Sequence, residues 1–123
     1  MVSSLSFCDD GTLWIASLLH GLARRSPSGA ISYVDLPPGL GNAASAVACD
    51  PSDGSVWVGF EWGGFGRYDG GWWTVAAVSP PEFATHAPVR SIQIDRWASP
   101  RIVYIAHAAS RNGLGGVTVY SGP

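Results

Sequence analysis

The chain has 123 residues, room for one ordinary domain, and a formal net charge of −2, which excludes broad electrostatic attraction to nucleic acid or an anionic membrane. Charged residues make up 13% of it, while 16 residues are Gly and 6 are Trp; a typical soluble domain carries roughly 25% charged residues, so part of the surface is expected to be covered by other protein. Met1 to Leu5 lacks the basic and apolar regions of a signal peptide and nowhere do about 18 apolar residues run together, so neither export nor membrane insertion is expected from these residues.

The first elements in chain order are two short apolar runs, Leu5 to Cys8 and Leu13 to Ala16, separated by Asp10-Gly11. Two short strands joined by a Gly-containing turn predict an antiparallel hairpin. A third strand is predicted over Gly21 to Arg25 and a fourth over Ala30 to Val34, and Pro37-Pro38-Gly39 then interrupts any ladder. The order repeats: Ala46 to Cys49, the turn Asp53-Gly54, Val56 to Phe60, Gly64 to Tyr68, Trp72 to Ala76, then Pro80-Pro81. A third, degenerate copy has Val89 to Ile94, Ile102 to Ala106 and Gly116 to Tyr120 and ends before a fourth strand. No stretch offers ten residues of helical periodicity free of Gly, Pro and β-branched interruption.

The markers of the second strands, Trp14, Trp57 and Tyr104, are spaced by 43 and 47 residues. Four antiparallel strands per unit of this length predict an all-β chain of β-propeller blades, about three of them with the last incomplete. Blade one is expected over 3–34, blade two over 44–77 and blade three over 88–120, within a single partial propeller unit.

The Asp10, Gly11, Trp14 and Asp53, Gly54, Trp57 patterns, with Gly64-Phe65-Gly66-Arg67-Tyr68-Asp69, resemble the two-component regulator propeller repeat. Asp-box hairpins of sialidase-like propellers are the near alternative. The resemblance implies a noncatalytic propeller module for recognition and assembly, with extracytoplasmic sensing and a periplasmic or extracellular location. Fewer than three full blades leave apolar end faces, so the expected partners are copies of the chain completing a closed ring, or other blades of a larger protein. A carbohydrate or peptide is the expected ligand, and no cofactor is implied.

Ligand or partner contacts are expected from loops at one rim, which carry His20, Glu61, Trp62, His107, Arg111 and Asn112. The adjacent Trp72 and Trp73 point to opposite faces of a strand, and one of them is expected at an interface. Arg67 and Asp69 suit a surface ion pair of small energetic value. Cys8 and Cys49 fall at matching repeat positions and read as two buried thiols, with a disulfide or a metal site as alternatives. His20, His86 and His107 lack zinc-signature spacing, and the chain has no nucleophile elbow, P-loop or dinucleotide fingerprint. The alternative function, a propeller-type hydrolase or lyase acting on a carbohydrate polymer, would draw on Glu61, Glu82 and Asp95.

Overall fold

A computed structural model describes residues 1–36, 41–61, 64–74, 88–108 and 116–121, without the side chains of Trp73 and Thr74. Every regular element among them is a strand. The first sheet holds β1 (Val2–Phe7), β2 (Leu13–Ser17), β3 (Gly21–Arg25) and β4 (Ile31–Val34) in sequential order. The second holds β5 (Ala44–Cys49), β6 (Val56–Phe60), β7 (Phe65–Tyr68) and β8 (Trp72–Thr74). The third consists of β9 (Val89–Asp95), β10 (Ile102–His107) and β11 (Gly116–Ser121). All neighbours pair antiparallel.

The hairpin turns have a local cause. In the first sheet the Cys8 amide donates to the Thr12 carbonyl at 2.8 Å and the Gly11 amide to the Cys8 carbonyl at 3.0 Å. In the second, the Asp50 amide donates to the Ser55 carbonyl and the Gly54 amide to the Asp50 carbonyl, both at 2.8 Å. Gly11 and Gly54 sit at φ of +90° and +76°, where a Cβ would be strained. Asp10 and Asp53 each accept the backbone N–H two residues on, from Thr12 and Ser55, at 2.9 Å, an Asx turn that presets the reversal.

The three sheets are layered, with the second in the middle. Trp14, Ala16 and Leu22 of the first sheet pack on Ala44, Val47, Val56, Val58 and Phe60 of the second. The opposite face of the second sheet, with Ala46, Ala48, Trp57 and Phe65, packs on Val89, Ile92, Val103 and Ile105 of the third. Burial on both faces explains why β6 reads as an unbroken apolar run instead of alternating. The edge strands β1, β5 and β9 are also stitched by serines. Ser4 and Ser6 of β1 accept the Val47 and Cys49 amides of β5 at 3.2 and 3.0 Å, and the Ser45 hydroxyl donates to the Val89 carbonyl at 2.5 Å.

This arrangement corrects the propeller expectation and the repeat-family resemblance on which it leaned. The sheets are three separate, open antiparallel layers, and none closes or curls into a blade of a ring. Closure would require covered end faces; here Leu5, Phe7, Ile31 and Tyr33 of the first sheet and Tyr104, Val117 and Val119 of the third are exposed.

A second correction concerns the cysteines, which form a Cys8–Cys49 disulfide with Cα atoms 5.3 Å apart. They are not at matching positions. The turn bonds make Asp50 the counterpart of Cys8, and the disulfide crosses the seam between the first and second sheets.

Candidate functional site

The most developed polar constellation lies where the second and third sheets meet. Asp50 follows the last residue of β5 and is fully buried. Its Oδ1 accepts the Ser52 amide at 2.9 Å and the Ser52 hydroxyl at 2.6 Å, and its Oδ2 accepts Nε of Arg101 at 2.6 Å. Arg101 leads into β10 and is itself buried, so this ion pair joins the two sheets across their seam. A buried charge pair of this kind persists only when its remaining hydrogen-bonding capacity is met, and the Ser52 contacts serve that purpose for Asp50.

Asp53 stands beside it. Its Oδ1 accepts the Ser55 amide at 2.9 Å and hydroxyl at 2.6 Å, and its Oδ2 pairs with Arg67. Arg67 Nε also donates to the Ser55 hydroxyl at 3.1 Å. Partial burial raises the Asp53 pKa, but the bonds from Ser55 and the Arg67 guanidinium outweigh it and hold the carboxyl below its ordinary value. The Thr12 amide and hydroxyl hold Asp10 low in the same way. Beneath the network lies Trp57, wholly buried, with the guanidinium carbons of Arg67 and Arg101 each 5.6 Å from its ring centroid. The expected Arg67–Asp69 pair is therefore corrected: Arg67 turns to Asp53 across the sheet, beside Ser55 and Trp57.

The network forms one wall of a groove of about 430 Å³ lined by Asp53, Arg67, Arg96 and Arg101 together with Ser52 and Ser99. A related groove of about 330 Å³ lies beside the first seam and is lined by Asp10, Thr12, Trp14, Arg24 and Cys8 among others. The guanidinium carbon of Arg24 lies 5.6 Å from the Trp14 ring, so each groove has an Asp turn and an Arg that stacks on a Trp, with Trp14 in the lining of this groove and Trp57 buried behind the other. Among the described residues no group of three His, Cys, Asp or Glu is placed to hold a metal ion, and no helix is long and apolar enough to cross a membrane.

Of the rim residues singled out in the sequence, His20, Glu61 and His107 are among the described residues. His20 is exposed in the turn after β2, and its amide donates to the Ser17 hydroxyl at 3.1 Å. Glu61 follows β6 and pairs with Arg90 at 3.2 Å. His107 ends β10 buried, its Nε2 2.7 Å from the Thr118 hydroxyl. Trp62, Arg111 and Asn112 lie outside the described residues, as do Glu82 and His86. Trp72 packs on Tyr68 and Phe60 with centroids 5.1 and 6.5 Å apart, and its indole N–H donates to the Asp35 carbonyl, tying the second sheet to the chain leaving the first. Trp73 sits opposite Arg67 in the β7–β8 register; its side chain is outside the described set. Tyr104, in the position of Trp14 and Trp57, is 39% exposed on the outer face of the third sheet.

Sequence reasoning missed Asp50 and Arg101. The available signal was a second Asp three residues before the Asp53 turn, with Ser52 two residues after it, the spacing of a second Asx turn. The Arg101 partner is 51 residues away, and no local pattern announces it.

No sequence-family model matches the chain, and no curated protein matches it. Among solved structures, two crystal structures of the extracellular domain of BT4673 from B. thetaiotaomicron are similar, one described as a one-component system and the other as a hybrid two-component system. The first superposes with a TM-score of 0.68 at 18% identity, covering 98% of this chain and 17% of that one. The second gives 0.66 at 19% identity, covering 99% and 21%. The chain thus spans about a fifth of those chains' length, and at this identity the likeness is one of fold: three layered antiparallel sheets similar to part of those extracellular domains.

Proposed function

We propose that the chain is a noncatalytic recognition module of an extracytoplasmic sensor, part of a longer ligand-sensing domain. The observation that carries this reading is the fold likeness over nearly the whole chain to an extracellular domain of a one- or two-component system. The Cys8–Cys49 disulfide supports the compartment, since such bonds persist where the surroundings are oxidising. The grooves beside the two seams, one lined by Trp14 and Arg24 and the other by Arg67, Arg96 and Arg101, suit a carbohydrate or peptide bearing polar and anionic groups.

The carboxylate geometry speaks against glycoside cleavage by Glu61 and Asp95. Glu61 is held by Arg90 near the start of β9, whereas Asp95 ends that strand and accepts the Trp97 and Ala98 amides at 3.0 and 3.2 Å. Five residues of extended strand separate the two ends by about 17 Å, beyond the roughly 5–10 Å over which a carboxylate pair flanks one bond.

The test has two readouts. Mass spectrometry of protein recovered from a periplasm, alkylated without reduction, is expected to show both cysteines unmodified; two alkylated thiols would overturn the compartment reading. A thermal-shift panel of neutral and anionic oligosaccharides and short peptides is expected to yield saturable stabilisation without turnover. Product release by a ligand that binds would overturn the noncatalytic reading.

A further inference from the structure

We infer that the groove beside the first seam binds a small zwitterion, an amino acid or short unblocked peptide, with its ammonium against Asp10 and its carboxylate against Arg24. The two seams correspond residue by residue, and the first lacks an ion pair that the second contains. Trp14 lies opposite Arg24 in the β2–β3 register, as Trp57 lies opposite Arg67 in β6–β7. Asp10 and Asp53 each stand four residues before their Trp. Across the seam Trp14 meets Tyr68 with ring centroids 5.8 Å apart, and Trp57 meets Tyr120 at 5.1 Å. Tyr68 pairs with Val56, and Tyr120 with Val103. Two residues before each valine stand Gly54 and Arg101, so Gly54 takes the place of Arg101.

At the second seam Arg101 fills that place, its guanidinium carbon 5.6 Å from the Trp57 ring and its charge met by Asp50 at 2.6 Å and Asp53 at 3.8 Å. At the first seam Gly54 brings no side chain, and an added Cβ there meets nothing within 4 Å. Cys8, the counterpart of Asp50, is engaged in the disulfide and brings no charge. Cys8 and Gly54 both line the groove of about 330 Å³, which thus corresponds to the space that Arg101 and its contact with Asp50 take up at the other seam. The volume is that of a small-molecule site.

The remaining charges are present there but unjoined. Arg67 pairs with Asp53, whereas among the described residues Arg24 meets no carboxylate. Its Nε donates to the Ser32 hydroxyl at 3.3 Å and its guanidinium lies over Trp14. Asp10 Oδ1 accepts the Thr12 amide at 2.9 Å, and the bonds from Thr12 that lower its pKa keep it ionised at neutral pH. A purely anionic ligand would suit Arg24 and face the Asp10 carboxylate, and a purely cationic one the reverse. A zwitterion supplies both the cation and the anion that Arg101 and Asp50 supply at the second seam. The proposal rests on the recognition reading of the same groove and narrows its ligand.

The test is isothermal titration of the protein with the common L-amino acids and dialanine, then with the N-acetyl and C-terminal amide forms of each compound that binds. At least one unblocked compound is expected to bind saturably, and whether it is an amino acid or dialanine identifies the carrier of the two charges. Acetylation is expected to weaken binding about threefold, in keeping with an exposed ion pair. Amidation is expected to weaken it about tenfold or more, since a carboxylate on a guanidinium gains charge-assisted bonds. Asp10→Asn, which retains the oxygen that accepts the Thr12 amide, is expected to erase the acetylation effect alone, and Arg24→Gln the amidation effect alone. Failure of every unblocked compound to bind overturns the proposal, as do blocked forms that bind equally well or a selectivity that both variants leave intact. An oligosaccharide that binds and is lost in Arg24→Gln, with no amino acid or dialanine binding, overturns it and leaves the recognition reading standing. The comparison of blocked and unblocked compounds uses the unaltered protein, so the test stays decisive where a variant fails to fold.

Discussion

Cys8 and Asp50 occupy the same position in adjacent sheets, each closing its hairpin turn by the same pair of backbone hydrogen bonds, yet they lock their seams by different chemistry. Cys8 is joined covalently to Cys49 in the second sheet, and Asp50 is ion-paired to Arg101 in the third. The position follows the first strand of each sheet, an edge strand, where a side chain reaches the next layer. One seam is therefore held by a bond sensitive to reductant, and the other by a bond sensitive to the loss of a charge.

Reduction should loosen the first seam selectively. The disulfide spans a sequence separation of 41 residues, and closing a loop of that size is worth about 2–4 kcal/mol against the unfolded chain. Urea denaturation with and without dithiothreitol, and of the Cys8→Ser, Cys49→Ser double variant, should show that loss. The double variant should be indifferent to reductant.

At the second seam, Asp50→Ala should cost about 3–5 kcal/mol, because it removes the buried carboxylate hydrogen-bonded to Arg101 and leaves Asp53 Oδ2 3.8 Å from the guanidinium. Asp50→Leu combined with Arg101→Met should recover much of that loss by exchanging a charge pair for apolar contact. Chemical denaturation of the single and paired variants checks both outcomes; an additive double variant would deny the coupling.

Strand positions were legible because β-branched and aromatic runs alternate with Asp-Gly turns whose φ requirements are local. How the sheets combine was not. The repeat spacing of Trp14 and Trp57 is compatible with any serial layering of hairpins, and nothing in it states whether the outer faces meet, so the ring was inferred and the open stack was found. The cysteines misled for a related reason. Trp14 and Trp57 are 43 residues apart, so Cys8 would fall opposite position 51, and the one extra residue of the second turn makes Asp50 its counterpart; matching Cys49 would need two. Among the site residues, Asp53 and Trp57 were visible through their turn and strand, whereas Arg101 is positioned by tertiary packing alone.

Acid should weaken the Asp53 turn. Its folded pKa lies below the ordinary value of 3.8, because the Ser55 and Arg67 bonds overcome the cost of burial. A depressed folded pKa means that the stabilisation is fully present above the unfolded value and is lost as pH falls through the folded one. Stability should therefore decline below about pH 4, and Asp53→Asn should flatten that decline. Urea midpoints measured from pH 6 to pH 2.5 on both proteins test this; parallel curves would remove Asp53 from the acid response.

In the second seam Gly59 lies against Val89, and an added Cβ would lie 2.2 Å from Cγ1 and 2.5 Å from Cβ of Val89. Val89 is fully buried and its carbonyl is held by Ser45, so β9 has little room to retreat. Gly59→Ala should consequently destabilise by about 1–3 kcal/mol through overpacking, although its backbone conformation suits alanine. Pairing it with Val89→Ala should relieve the clash, making the double variant more stable than the sum of the two single losses. A double-mutant cycle by thermal and urea denaturation measures that coupling. A near-zero value would mean that the second and third sheets separate readily at this point, and that Asp50 and Arg101 hold them together without help from the strands beside them.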